Sequence, residues 1–117
     1  MNKNTNTKHM KTLTLSVLER LQLPELLPKA GKIIEMELAR SIIEKVQLGA
    51  AEIGEYGLRD TPDGRITWDQ NKAKDKEVML EESEVKMLQG TISAMDKEGR
   101  ITLESLMLVK KLLGIEL

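Results

Sequence analysis

The chain has 117 residues, a formal net charge of −1 and no cysteine, with 40% hydrophobic and 32% charged residues. That is one globular domain with no net field to steer it towards DNA or an anionic membrane, and no thiols for disulfides or thiolate metal sites. The only aromatics are Tyr56 and Trp68, too few for stacking platforms on single-stranded nucleic acid, so Leu, Ile, Val and Met must build the core.

Residues 1–11 are rich in Asn, Thr and Lys and hold the single histidine, His9. They read as a disordered N-terminal tail, too polar for a secretory signal, ahead of a single globular domain at 12–117. No apolar run approaches the ~18 residues of a membrane span, so a cytoplasmic protein is expected. Thr12–Ser16 alternates polar and apolar residues as a half-buried strand does. Ser16 then caps a short helix, Val17 to Leu23, and Glu19 completes a capping box. Pro24 and Pro28 bracket a helical turn or apolar knuckle.

From Lys32 to about Leu48 the pattern is helical, with Ile34, Leu38, Ile42 (or Ala39 and Ile43) and Val46 on one broad face. Arg40 and Glu44 stand four apart and can pair. Gly49 ends this helix, and Ala50–Tyr56 adds two turns before Gly57. Asp60-Thr61-Pro62-Asp63-Gly64 is the strongest turn signal in the chain. It leads into a strand at 65–69. A further strand at 76–80 can pair with it as an antiparallel ribbon, with 12–16 as a candidate third member.

Two amphipathic helices close the chain. Val85, Leu88, Ile92 and Met95 form the stripe of the first, with Ser83 as its cap. After the break at Asp96–Arg100, Thr102 caps the second, whose stripe is Leu103, Leu106, Val109, Leu112 and Leu113. A short connection makes such a pair antiparallel or steeply crossed. The fold expected is α+β: a mostly helical single domain with a small two- or three-stranded antiparallel sheet and a C-terminal helix-turn-helix pair.

No catalytic constellation emerges. The carboxylates sit at helical surface positions without a partner His or Cys, the serines lack a glycine elbow, and there is no phosphate-binding glycine loop. Asp96, Glu98, Gly99 and Ile101 fit the middle of a calcium loop. Its first and twelfth positions would be Ala94 and Ser105, which cannot supply the anchoring carboxylates. The expectation is a non-enzyme with no cofactor and no metal.

Two binding readings remain. Helices up to Tyr56 followed by a ribbon at 65–80 suggest a winged-helix plan, with Lys72, Lys74 and Lys76 as phosphate contacts. Arg59–Gly64, however, replaces the recognition helix that plan needs. The other reading is protein binding, with Trp68, Arg65 and Tyr56 as candidate contacts. Strand alternation puts Ile66 and Trp68 on one face, where Trp68 is either a core plug or a partner anchor.

The run Leu13-Thr14-Leu15-Ser16-Val17-Leu18-Glu19-Arg20-Leu21, then Leu26-Leu27-Pro28-Lys29-Ala30-Gly31, then Ile66-Thr67-Trp68-Asp69 ahead of two helices, resembles small phage- and prophage-encoded proteins of unknown function. The resemblance spans most of residues 12–113 and carries no active-site residues. It implies a viral or mobile-element origin and a protein that acts by binding another protein, of host or phage, in the host cytoplasm. On this basis the expected function is a non-catalytic protein-protein interaction module, in one form a homodimer. A winged-helix-like nucleic-acid binder is the alternative and a virion structural component the third.

Overall fold

Strand β1, Met10–Leu15, begins the described part of the chain, which in this computed structural model is residues 10–117. Met10 and Lys11, expected at the end of the tail, are therefore strand residues; the rest of that segment, with His9, lies outside the described residues. In β1, Leu13 and Leu15 point into the core while Thr12 and Thr14 stay exposed, as the alternation predicts. Helix α1, Val17–Gln22, follows at once and passes into a 3-10 turn, Leu23–Leu26, where Pro24 removes the donor an α-helix would need.

Helix α2 is Ile33–Val46 and helix α3 is Ala50–Tyr56. Gly49 is the N-cap of α3 rather than the end of α2, which stops at Val46. On α2 the buried residues are Ala39, Ile42 and Val46, with Leu38 half-buried, whereas Ile33, Ile34 and Ile43 are exposed, so the stripe follows the first expected register from Leu38 onward and takes only Ala39 from the second. Arg40 pairs with Glu44 at 3.0 Å and also with Glu37 at 3.1 Å. These are solvent-exposed pairs that water and salt screen, so they add little to stability.

Strands β2, Arg59–Asp60, and β3, Ile66–Thr67, form a hairpin around the turn at Thr61–Gly64. Gly64 supplies the positive φ of 84° that this turn requires. Strand β4, Lys76–Glu81, pairs antiparallel with β1, placing Leu13 opposite Val78 and Lys11 opposite Leu80. The expected ribbon of 65–69 with 76–80 does not form. A tight turn lets β3 take the nearest partner, β2. Val78 and Leu80 instead need a neighbour whose apolar face matches theirs, and Leu13 and Leu15 provide it.

Helix α4, Glu82–Lys97, buries Val85, Leu88 and Ile92, with Met95 partly covered. Its N-cap is Glu81, not Ser83. Helix α5, Leu106–Leu113, starts later than expected. The Thr102 hydroxyl does accept the Ser105 N–H at 3.2 Å, but it closes an isolated turn, and Leu103 and Leu106 are left exposed. The buried face of α5 is Leu108, Val109 and Leu112. These elements close one core in which Leu15, Leu23, Ile42, Val46, Leu80, Leu88 and Leu112 are fully buried. Each such side chain contributes ~1.5–3 kcal/mol of transfer free energy. The result is a small α+β domain, mostly helical.

One device recurs at the helix starts. A glutamate at the third helical position accepts the N–H of the capping residue: Glu19 from Ser16 at 2.9 Å, Glu35 from Lys32 at 2.8 Å, Glu52 from Gly49 at 3.0 Å and Glu84 from Glu81 at 2.7 Å. Three of these carboxylates also hold a basic side chain from far along the chain: Lys111 on Glu19 at 2.8 Å, Arg20 on Glu52 at 2.7 Å and Lys45 on Glu84 at 2.6 Å. Each pairing joins the start of one helix to the body of another.

Candidate functional site

Arg20 is the residue that builds the site. Val17, Arg20 and Leu23 follow one another at steps of three, which turns the Arg20 side chain inward, and it is fully buried. Its guanidinium donates to the carbonyls of Val46 at 2.9 Å and Gln47 at 2.8 Å, two acceptors that the end of α2 leaves without helical partners. The other side of the fork meets both oxygens of Glu52 at 2.7 and 2.9 Å. A cation at the end of α2 and an anion at the start of α3 both match the helix dipoles. Arg20 thus fixes the α2–α3 corner against α1.

That corner and the β2–β3 hairpin frame a groove along α1. A depression of about 380 Å³ lies over the corner, lined by Leu21, Pro24, Leu48, Ile53, Leu58 and Ile66 among others, with Arg59 and Asp60 at its polar edge. A second, of about 630 Å³, runs on past Leu18 and Trp68 to Arg65 and Glu104. Leu21 and Ile66 line both, so the two adjoin. Leu18, Ile53 and Ile66 are each more than 40% exposed there, an apolar strip open to solvent.

The hairpin wall is held from both ends. The Thr61 N–H donates to the Arg65 carbonyl at 2.8 Å, and the Arg65 N–H donates to the Thr61 hydroxyl at 3.0 Å. The Thr61 hydroxyl in turn donates to Asp63. At the exit, the Asp69 N–H donates to the Tyr56 carbonyl at 2.8 Å, tying the hairpin to the last turn of α3.

The candidate contact residues part company in this geometry. Trp68, Arg65 and Ile66 all line the groove; β3 ends at Thr67, so strand alternation does not separate Arg65 from the other two there. Trp68 is half-buried, neither a sealed plug nor a free anchor. Tyr56 is only 6% exposed and presents no ring surface to a partner, because it closes the inner face of α3. Lys72, Lys74 and Lys76 are exposed, but they lie in the link to β4 and at its first residue. The wing that would have carried them is absent, since β3 and β4 do not pair. Leu18, Leu21 and Ile53 were not foreseen as site residues; only their offset from the buried stripes could have pointed to them.

Two carboxyls are tuned by this framework. The Arg20 hydrogen bonds, acting against partial desolvation, hold the Glu52 carboxyl at about 2, down from an ordinary 4.5. At Glu19 burial pushes upward, and hydrogen bonds from Lys111 and from the Ser16 N–H outweigh it, so this carboxyl also titrates below its ordinary range. Both native values lie below the unfolded ones. Their stabilisation is therefore complete above pH ~4.5 and declines as pH falls towards ~2. Urea midpoints followed by Trp68 fluorescence should fall steadily across that window, and Glu52→Gln should flatten the decline. A variant with the same pH slope as the parent would contradict the assignment to Glu52.

Among the described residues there is no cluster of three or more His, Cys, Asp or Glu able to hold a metal ion, and no helix long and apolar enough to cross a membrane. What fold and groove define is a small α+β domain with an apolar channel rimmed by mixed charge. No protein-family model, curated protein or solved structure matches the chain.

Proposed function

We propose that this chain is a non-catalytic protein-interaction module that seats an apolar segment of another protein in the groove between α1 and the β2–β3 hairpin. The carrying observation is the apolar strip of Leu18, Leu21, Ile53, Ile66 and Trp68 along two adjoining depressions, bounded by Arg59, Asp60, Arg65 and Glu104. Aliphatic and indole surface at the centre with charges at the rim is the composition of a binding hot spot. The groove holds apolar walls and no converging set of reactive side chains. Together with the resemblance to small phage-encoded proteins, this favours an accessory protein acting on a host or phage protein in the host cytoplasm.

The test is capture of a partner with groove and control variants in parallel. Ile66→Glu places a charge in the strip, whereas Ile34→Glu alters an isoleucine that is 64% exposed on α2, outside the groove lining. Ile66→Glu should weaken capture at least ~10-fold, the loss of one hot-spot contact. Ile34→Glu should leave it unchanged. Equal capture by all three proteins, or no capture by the parent, ends this reading.

A further inference from the structure

Helix α5 carries apolar residues outside its buried stripe as well as on it. Leu106, Met107, Leu108, Val109, Leu112 and Leu113 leave room for only two polar residues, Lys110 and Lys111. Leu108, Val109 and Leu112 face the core, but the opposite side is uncovered. Met107 is 75% exposed and Leu103, one turn ahead, is 87% exposed, with Leu106 and Leu113 beside them at 39% and 46%.

The charges on this face indicate what covers it. Glu104, at its N-terminal end, is exposed and enters no ion pair among the described residues, and the same holds for Lys110 at the other end. Lys111 donates to the Thr14 carbonyl at 2.9 Å and to Glu19 at 2.8 Å, which leaves one of its three donors. The face is therefore acidic at one end, basic at the other and aliphatic between. A surface of that kind is its own complement when turned end for end.

We propose that a second copy of this chain packs antiparallel across the outer face of α5. Met107 lies near the two-fold axis, and Glu104 of each copy sits at the Lys110–Lys111 end of the other. The symmetry makes this contact twice. An eight-residue helix is only ~12 Å long, so the interface is at the small end of the range and the affinity micromolar rather than nanomolar. The proposal does not rest on the groove, with which this face shares only Glu104 at the rim.

Sedimentation velocity on the full chain from ~5 to ~500 µM spans the range in which such a dimer would form. The parent should pass from one chain to two across it. Met107→Asp should stay monomeric throughout, and Glu104→Lys should raise the dissociation constant at least ~10-fold, since both ends then carry like charges. Combining Glu104→Lys with Lys110→Glu should recover most of the loss. All these positions are exposed, and far-UV circular dichroism checks that each variant is folded. A parent monomeric at every concentration, a dimer that survives Met107→Asp, a dimer lost in Ile66→Glu, or a double variant no better than Glu104→Lys would each overturn the proposal.

Discussion

Replacing Arg20 by methionine should cost ~3–5 kcal/mol of folding stability, the usual penalty for removing one partner of a buried ion pair. Methionine fills much of the same space, so the loss is not mainly one of packing. It comes from what the guanidinium leaves behind: the carbonyls of Val46 and Gln47 without donors, and the Glu52 carboxylate without its cation. Arg20→Lys should fall between parent and methionine. An ammonium keeps the charge but cannot reach both oxygens of Glu52 and two carbonyls with a planar fork. Urea denaturation followed by Trp68 fluorescence measures all three. Against a total of ~5–15 kcal/mol for a domain of this kind, the methionine variant loses a fifth or more. If it stays within ~1 kcal/mol of the parent, the corner does not depend on Arg20.

The same substitution reaches the groove. Gln47, Leu48 and Ile53 belong to the corner that Arg20 fixes, and they line the first depression. Loosening the corner should weaken partner capture more than the exposed-surface change at Ile34 does, even in conditions where Arg20→Met remains folded. Stability and binding are linked because one buried side chain both closes the end of α2 and shapes the wall beside it.

How much of this could be read from the sequence depends on how local the cause is. The capping box at Ser16 and Glu19, the turn at Thr61–Gly64 and the stripe of Val85, Leu88 and Ile92 are settled within a few residues, and all appear as expected. Strand pairing is not local. The run at 76–80 has the same strand character whether its partner is 65–69 or 10–15, and only the shared apolar face of Leu13, Leu15, Val78 and Leu80 decides between them. The start of α5 failed for a related reason. Leu103 and Leu106 keep helical spacing to Val109 whether or not a helix joins them, and the Thr102 hydroxyl caps a turn as readily as a helix. Arg20 and Glu84 were legible in principle. Arg20 continues the spacing of Val17 and Leu23, and Glu84 stands one turn before Leu88 and two before Ile92 on the same stripe. A charge on an apolar stripe is a signal for a buried pair, but the partner, 32 or 39 residues away, is fixed only by the fold.

Lys45→Met should be as damaging as the change at Arg20, at ~3–5 kcal/mol, but its remedy differs. Glu84 is fully buried, and its Oε1 accepts both the Lys45 ammonium at 2.6 Å and the Glu81 N–H at 2.7 Å. Its Oε2 finds no donor among the described residues. Without Lys45 a carboxylate would remain in the interior with a single backbone donor, far short of what its hydration supplied. Glu84→Leu in the Lys45→Met background removes the stranded charge altogether and should return stability to within ~1–2 kcal/mol of the parent, the residue being the lost contact at the start of α4. Glu84→Leu alone loses the same contact at the start of α4, ~1–2 kcal/mol, so the coupling between the two positions, read from a double-mutant cycle of urea midpoints, should be ~3–5 kcal/mol. No such apolar exchange can rescue Arg20→Met, because Glu52→Leu would still leave the carbonyls of Val46 and Gln47 unpaired. A Lys45→Met variant close to the parent would mean that Lys45, 30% exposed at its side chain, behaves as an ordinary surface lysine and that Glu84 is held by its backbone donor alone.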